Sequence, residues 1–169
     1  MIVHLIVAML AAGNALAEDA RPPFDAGKYP KDVQRALADA GKECKFQDGG
    51  NVTFAPDTVQ TVDLTGDGRL DYIIQFGDAK CAAGTRAVFC GSGGCLINIL
   101  VTLPDGRVRK VFDNYVRSFS IRPDPAEKAT APRSIAFELH GAYCGGHGTP
   151  SCHKERTITA RSFDFKLPN

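Results

Sequence analysis

Asp63, Asp67 and Asp71 recur at every fourth position of Asp63-Leu64-Thr65-Gly66-Asp67-Gly68-Arg69-Leu70-Asp71, with two glycines among them. A hard cation such as Ca²⁺ is held by about six to eight oxygens, which a curled backbone offers from alternate positions, with glycine where the turn is tightest. The spacing predicts a Ca²⁺ loop in which Asp63, Thr65 and Asp67 give side-chain oxygens, Gly68 makes the turn, the Arg69 carbonyl follows and Asp71 closes the set. Ile74 stands where an EF-hand places its bidentate Glu, and Tyr72-Ile73-Ile74-Gln75-Phe76 reads as strand, so this is not an ordinary EF-hand. Lacking that Glu, the site is expected to be weak, ~10⁻⁴ to 10⁻³ M, and structural. The competing reading is a polar hairpin turn whose carboxylates accept backbone N–H groups.

A second group lies near the C-terminus, where His140, Cys144, His147, Cys152 and His153 crowd one turn. Thiolate and imidazole at such spacing suit Zn²⁺ or copper, whereas oxidation would turn Cys144 and Cys152 into a disulfide and leave only histidines. Catalytic signatures are missing: there is no G-x-S-x-G, no H-E-x-x-H and no phosphate-cradling glycine loop, and Ser92 has no base near it in sequence. Glu138 and Asp113 are the candidate carboxylate pair for acid–base work, but nothing in their spacing brings them together. The chain is therefore read as a non-enzyme with no catalytic residues.

The elements that must carry these groups begin after an export signal. Residues 1–17 lack Asp, Glu, Lys and Arg, hold an apolar stretch over 2–12 and end in Ala15-Leu16-Ala17 before Glu18-Asp19. This reads as a signal peptide, although its start lacks the usual Lys or Arg, and it predicts a periplasmic or secreted protein with no membrane span in the mature chain. A formal net charge of +1 and a pI near 7.6 argue against nucleic-acid binding. All six cysteines follow the signal, an even number pointing to three disulfides. Spacing favours Cys90 with Cys95, Cys144 with Cys152, and Cys44 with Cys81, with Cys81–Cys90 as a rival. Asn51-Val52-Thr53 fits the N-glycosylation pattern by chance.

Residues 18–29, rich in Pro and Gly, read as a loose leader, and 30–169 as one β-rich domain. Val33, Ala36, Leu37 and Ala40 make an apolar helical stripe over 30–40, with Gly41 as its C-terminal cap. From Val52 the period falls to two. Strands are predicted over 52–54, 58–62, 70–76, 95–103, 107–112, 116–121, 134–139 and 156–167, with irregular connections over 77–94 and 122–132. The fold class is mainly β (α+β): an antiparallel sheet or curled half-barrel with one N-terminal helix, stapled by disulfides.

The stretch from Asp63 to Asp71 resembles the D-x-[DNT]-G-D-G-x-x-D calcium loop of FG-GAP repeats, in a single copy and with Thr65 where Asp or Asn is usual. Joined to Phe89-Cys90-Gly91-Ser92-Gly93-Gly94-Cys95, it also resembles uncharacterised proteobacterial periplasmic proteins that pair such a loop with F-C-G-x-G-G-C. The resemblance implies Ca²⁺ and export and brings no activity. The expected function is binding of a protein or cell-envelope component. The alternative is an inhibitor or immunity protein that plugs a cell-wall hydrolase with the 90–95 or 143–152 hairpin.

Overall fold

The computed structural model describes residues 23–82, 88–127, 131–146 and 148–159; the export signal and most of the predicted strand 156–167 lie outside them. The helix α1 spans Lys31–Asp48, and ten strands follow: β1 Val52–Thr53, β2 Val59–Val62, β3 Asp71–Gln75, β4 Lys80–Cys81, β5 Cys90–Gly91, β6 Gly94–Thr102, β7 Val108–Val116, β8 Ser118–Arg122, β9 Ser134–Leu139 and β10 Cys152–Thr157. All pairings are antiparallel.

The central sheet runs β2-β3-β6, with β7 on the far side of β6 and the short β5 beside the start of β6. It is buried on both faces, which explains the near-continuous apolar run of β6. Leu96 and Leu100 pack towards α1 with Val33, Leu37, Ile74 and Phe76. Ile97, Ile99 and Val101 turn the other way, against Ile135, Phe137 and Leu139 of the second sheet, β10-β9-β8. Three layers result: helix, sheet, sheet.

The helix continues past the cap expected at Gly41 and ends at Gly49, whose φ of 74° is left-handed and whose N–H reaches the Lys45 carbonyl. An interior glycine costs about 1 kcal/mol relative to alanine. The stripe Val33, Leu37, Ala40, Cys44 stays buried through it and outweighs that cost. Cys44 therefore sits on the helix and not beyond it. The leader also differs from expectation, since Phe24 stacks on Tyr29 and Tyr29 is buried in the helix-side core.

Two connections depart from the predicted pattern. β7 and β8 are one strand path bent at Arg117, leaving the central sheet and joining the second, which is how strands make corners between packed sheets. The last strand begins at Cys152, opposite Leu139, because the Cys144–Cys152 bridge closes its turn.

The three expected disulfides are present and no described cysteine is free. Cys44–Cys81 ties α1 to β4 across 37 residues, against 5 for Cys90–Cys95. Loop-closure entropy then assigns it about 4 kcal/mol and the short bridge about 2 kcal/mol. Denaturant unfolding of the paired alanine variants is expected to show the Cys44→Ala/Cys81→Ala loss as the larger, by about twofold.

Candidate binding groove and its acidic clamp

The loop between β2 and β3 is organised by backbone N–H groups. Asp63 accepts from Gly66 and Asp67 at Oδ1, at 2.7 and 3.2 Å, and from Gly68 at Oδ2, at 2.8 Å. Gly66 (φ 72°) and Gly68 (φ 82°) supply the left-handed turns. A Cβ on Gly66 would lie 2.4 Å from the Ala131 carbonyl carbon, so the loop is pressed against that segment. Asp67 accepts from Arg69 twice, from its N–H at 2.9 Å and its guanidinium at 2.7 Å.

Asp71 is wholly buried, at 0 % exposure. Its Oδ2 accepts from Leu64 and Thr65 at 2.8 and 3.2 Å, and its Oδ1 from Thr102 at 2.7 Å. Thr102 in turn donates its hydroxyl to the Leu70 carbonyl at 2.5 Å. One carboxylate thus fixes both the loop and the end of β6. Burial pushes its pKa from 3.8 up to about 6, against the pull of the three N–H donors.

Arg133, only 3 % exposed, completes the clamp. Its guanidinium donates to the carbonyls of Asp63 (3.0 Å), Pro123 (2.6 Å), Asp124 (2.8 Å) and Glu127 (2.6 Å). Its backbone N–H donates to Leu64, and its carbonyl accepts from Ile158. Nothing in the sequence nominated Arg133, because its partners are backbone carbonyls, which every residue carries.

Asp63, Thr65, Asp67, Arg69 and Asp71 share one loop, but their acidic oxygens face separate N–H donors. Among the described residues no group of three or more His, Cys, Asp or Glu side chains is placed to hold a metal ion. The Thr65 hydroxyl is buried without a partner, an oxygen the expected ligand set would use. The histidines are also apart in role: His140 Nδ1 accepts from the Ala142 N–H at 3.1 Å, and His153 lies on β10 opposite Glu138. His147 lies outside the described residues. Asp113 pairs with Asn98 and Lys110 while Glu138 accepts from Ser118, so these two carboxylates have no partner in common.

The groove is what the sequence did not announce. A cavity of about 630 Å³ opens where β8 runs along the central sheet. Ile97, Val116, Phe119 and Ile121 give it apolar walls, while Gln60, Gln75, Ser118 and Ser120 give polar ones. Asp57, Asp78 and Asp124 contribute carboxylates and Arg117 a guanidinium. Thr58 also lines it, 2 % exposed, its hydroxyl buried without a partner. A buried orphan hydroxyl costs about 1–3 kcal/mol.

Comparison with protein-family models, with curated proteins and with solved structures finds no match. Among the described residues no helix is long and apolar enough to cross a membrane.

Because folding raises the Asp71 pKa, the folded state binds the extra proton more tightly, and this group's stabilisation is complete below about pH 4 and lost as pH rises through about 6. Denaturant midpoints across pH 4–7 should therefore carry a falling component, worth up to about 3 kcal/mol. Asp71→Asn should remove that slope and, by facing an amide NH₂ towards N–H donors, lower stability at pH 4 by about 1–3 kcal/mol. A slope unchanged in the variant contradicts this assignment.

Proposed function

We propose that the protein is an exported binding domain that holds a protein or cell-envelope component in the groove beside β8, with loop 63–71 as its structural clamp. The supporting observation is the groove itself: apolar walls, a few polar groups and a buried hydroxyl without a partner make a surface suited to a ligand. Among the described lining residues there is no histidine and no lysine, the one cysteine is in a disulfide, and the Ser118 hydroxyl donates to Glu138. Three disulfides suit an oxidising space, in keeping with a periplasmic or secreted location.

One observation favours the inhibitor reading as a second. A Cβ on Gly93 would lie 4.0 Å from the Tyr143 ring, so the two hairpins nominated as plugs stand side by side. The readings separate by mutation. Capture of an envelope component that is abolished by groove-filling Gln60→Phe, with unchanged thermal midpoint, supports the groove. Block of a muramidase or amidase that is abolished by Gly93→Arg and untouched by Gln60→Phe supports the hairpin tips instead.

Calcium belongs to the same proposal as a weak structural ion of the clamp, drawing on the oxygens of Asp63, Thr65, Asp67, Arg69 and Asp71. Its support is the donor chemistry and the unpartnered Thr65 hydroxyl. At about 10 mM Ca²⁺ a site of ~10⁻³ M adds about 1.4 kcal/mol of stability. Thermal melting with Ca²⁺ against chelator should show a raised midpoint, and Thr65→Val should reduce the shift; an unchanged midpoint contradicts the ion.

A further inference from the structure

We infer that the groove takes a saccharide, a short uncharged stretch of glycan whose hydroxyls are read by Thr58, Gln60 and Gln75 while a ring face lies on Phe119. The inference rests on the groove being the binding site and names the chemical class of what fills it.

The first ground is a polar corner on an apolar face. Gln60 pairs with Ile73 and Ile73 with Ile99, while Gln75 pairs with Ile97. Cross-strand partners point to the same side of a sheet, and Ile73, Ile97 and Ile99 belong to the core shared with the second sheet. Gln60 and Gln75 therefore stand on the face that Val62, Ile73, Ile97, Ile99 and Phe112 make apolar elsewhere. Thr58 joins them: its carbonyl accepts the Gln75 N–H at 2.8 Å, and it lines the same groove. A face between two packed layers gains no stability from an amide or a hydroxyl, because taking either from water costs free energy unless a partner replaces the water. Thr58 is 2 % exposed and its hydroxyl has no partner, so this corner points to a ligand that completes it.

The second ground is the kind of group assembled there. An amide presents a donor and an acceptor side by side, and a hydroxyl is both at once, so a glutamine can exchange two hydrogen bonds with a vicinal pair of sugar hydroxyls. The Thr58 hydroxyl can take a third. A pyranose also carries an apolar C–H face, which suits the negative face of an aromatic ring. On β8 the half-buried Phe119 and Ile121 alternate with exposed serines and turn to the core between the sheets, giving the groove that wall. Its volume, about 630 Å³, falls within the ~300–1,000 Å³ of small-ligand sites.

Other ligand classes match less of this lining. A hydrocarbon would bury both amides and leave the Thr58 hydroxyl as it stands. An ionic ligand would draw on the carboxylates of the groove, but Asp57 and Asp78 have partners of their own and Asp124 accepts the Ala126 N–H at 2.8 Å. Recognition falls to the neutral groups.

The test titrates the intact, oxidised protein with cellotriose, tri-N-acetylchitotriose and, as the charged comparison, trigalacturonic acid. The two neutral probes separate a plain glucan source from an N-acetylated one. At least one of them is expected to shift the side-chain amide resonances of Gln60 and Gln75 and the ring resonances of Phe119, with an affinity indifferent to salt. Thr58→Val, which keeps the side-chain shape, should weaken that binding about two- to tenfold. It should also leave the thermal midpoint of the free protein unchanged or higher, since it deletes a hydroxyl without a partner. Gln75→Leu should weaken binding by at least as much. A lowered midpoint with unchanged affinity in Thr58→Val makes Thr58 structural and overturns the inference. So does binding of trigalacturonic acid alone, falling as salt rises. Shifts with none of the three probes, while Gln60→Phe still abolishes envelope capture, overturn the saccharide and leave the groove reading intact. Absence of saccharide binding together with undiminished capture by Gln60→Phe overturns both.

Discussion

A guanidinium buried against backbone carbonyls is the constraint on which the lower half of this molecule depends. Arg133 reaches four of them, one in the loop after β2 and three in the connection that follows β8. Removing a charge from water is costly unless it is well hydrogen-bonded and faces opposite charge. The carbonyl dipoles meet the first need. The loop carrying Asp63, Asp67 and Asp71 is pressed against the backbone of Ala131 and Pro132 and gives the guanidinium its Asp63 carbonyl.

That clamp also shapes the groove. By holding the carbonyls of Pro123 and Asp124, Arg133 fixes the chain just past the end of β8. Asp71, through Thr102, fixes the far end of β6. Cys90–Cys95 secures the other end, where Cys95 enters the lining. A cleft between sheets persists only when its walls are held independently, and here the two ends are held by different chemistry.

Much of this frame was legible in residue order. Apolar alternation located β3 and β9, a near-continuous apolar run located β6, and cysteine spacing pointed to the three bridges, because these signals are local. The helix end was misread at Gly41, where burial of Cys44 overrides a local preference for stopping. Arg133 was invisible because a side chain that binds carbonyls leaves no complementary residue to find. The groove was invisible for a different reason: a period of two says which residues face inward without saying how two sheets will meet.

The aspartates were legible as a loop and ambiguous in purpose, since the same residues at the same spacing serve an ion or an N–H group. The structure shows Asp63 and Asp71 each accepting three backbone N–H groups, one Asp63 oxygen and one Asp71 oxygen accepting two apiece. A carboxylate oxygen offers about two lone pairs, so little acceptor capacity is left on these side chains. Asp67 is paired with the Arg69 guanidinium, which offsets part of the loop's negative charge, so any cation entering the loop must compete with that arginine for Asp67. The loop holds its shape by N–H bonds of its own.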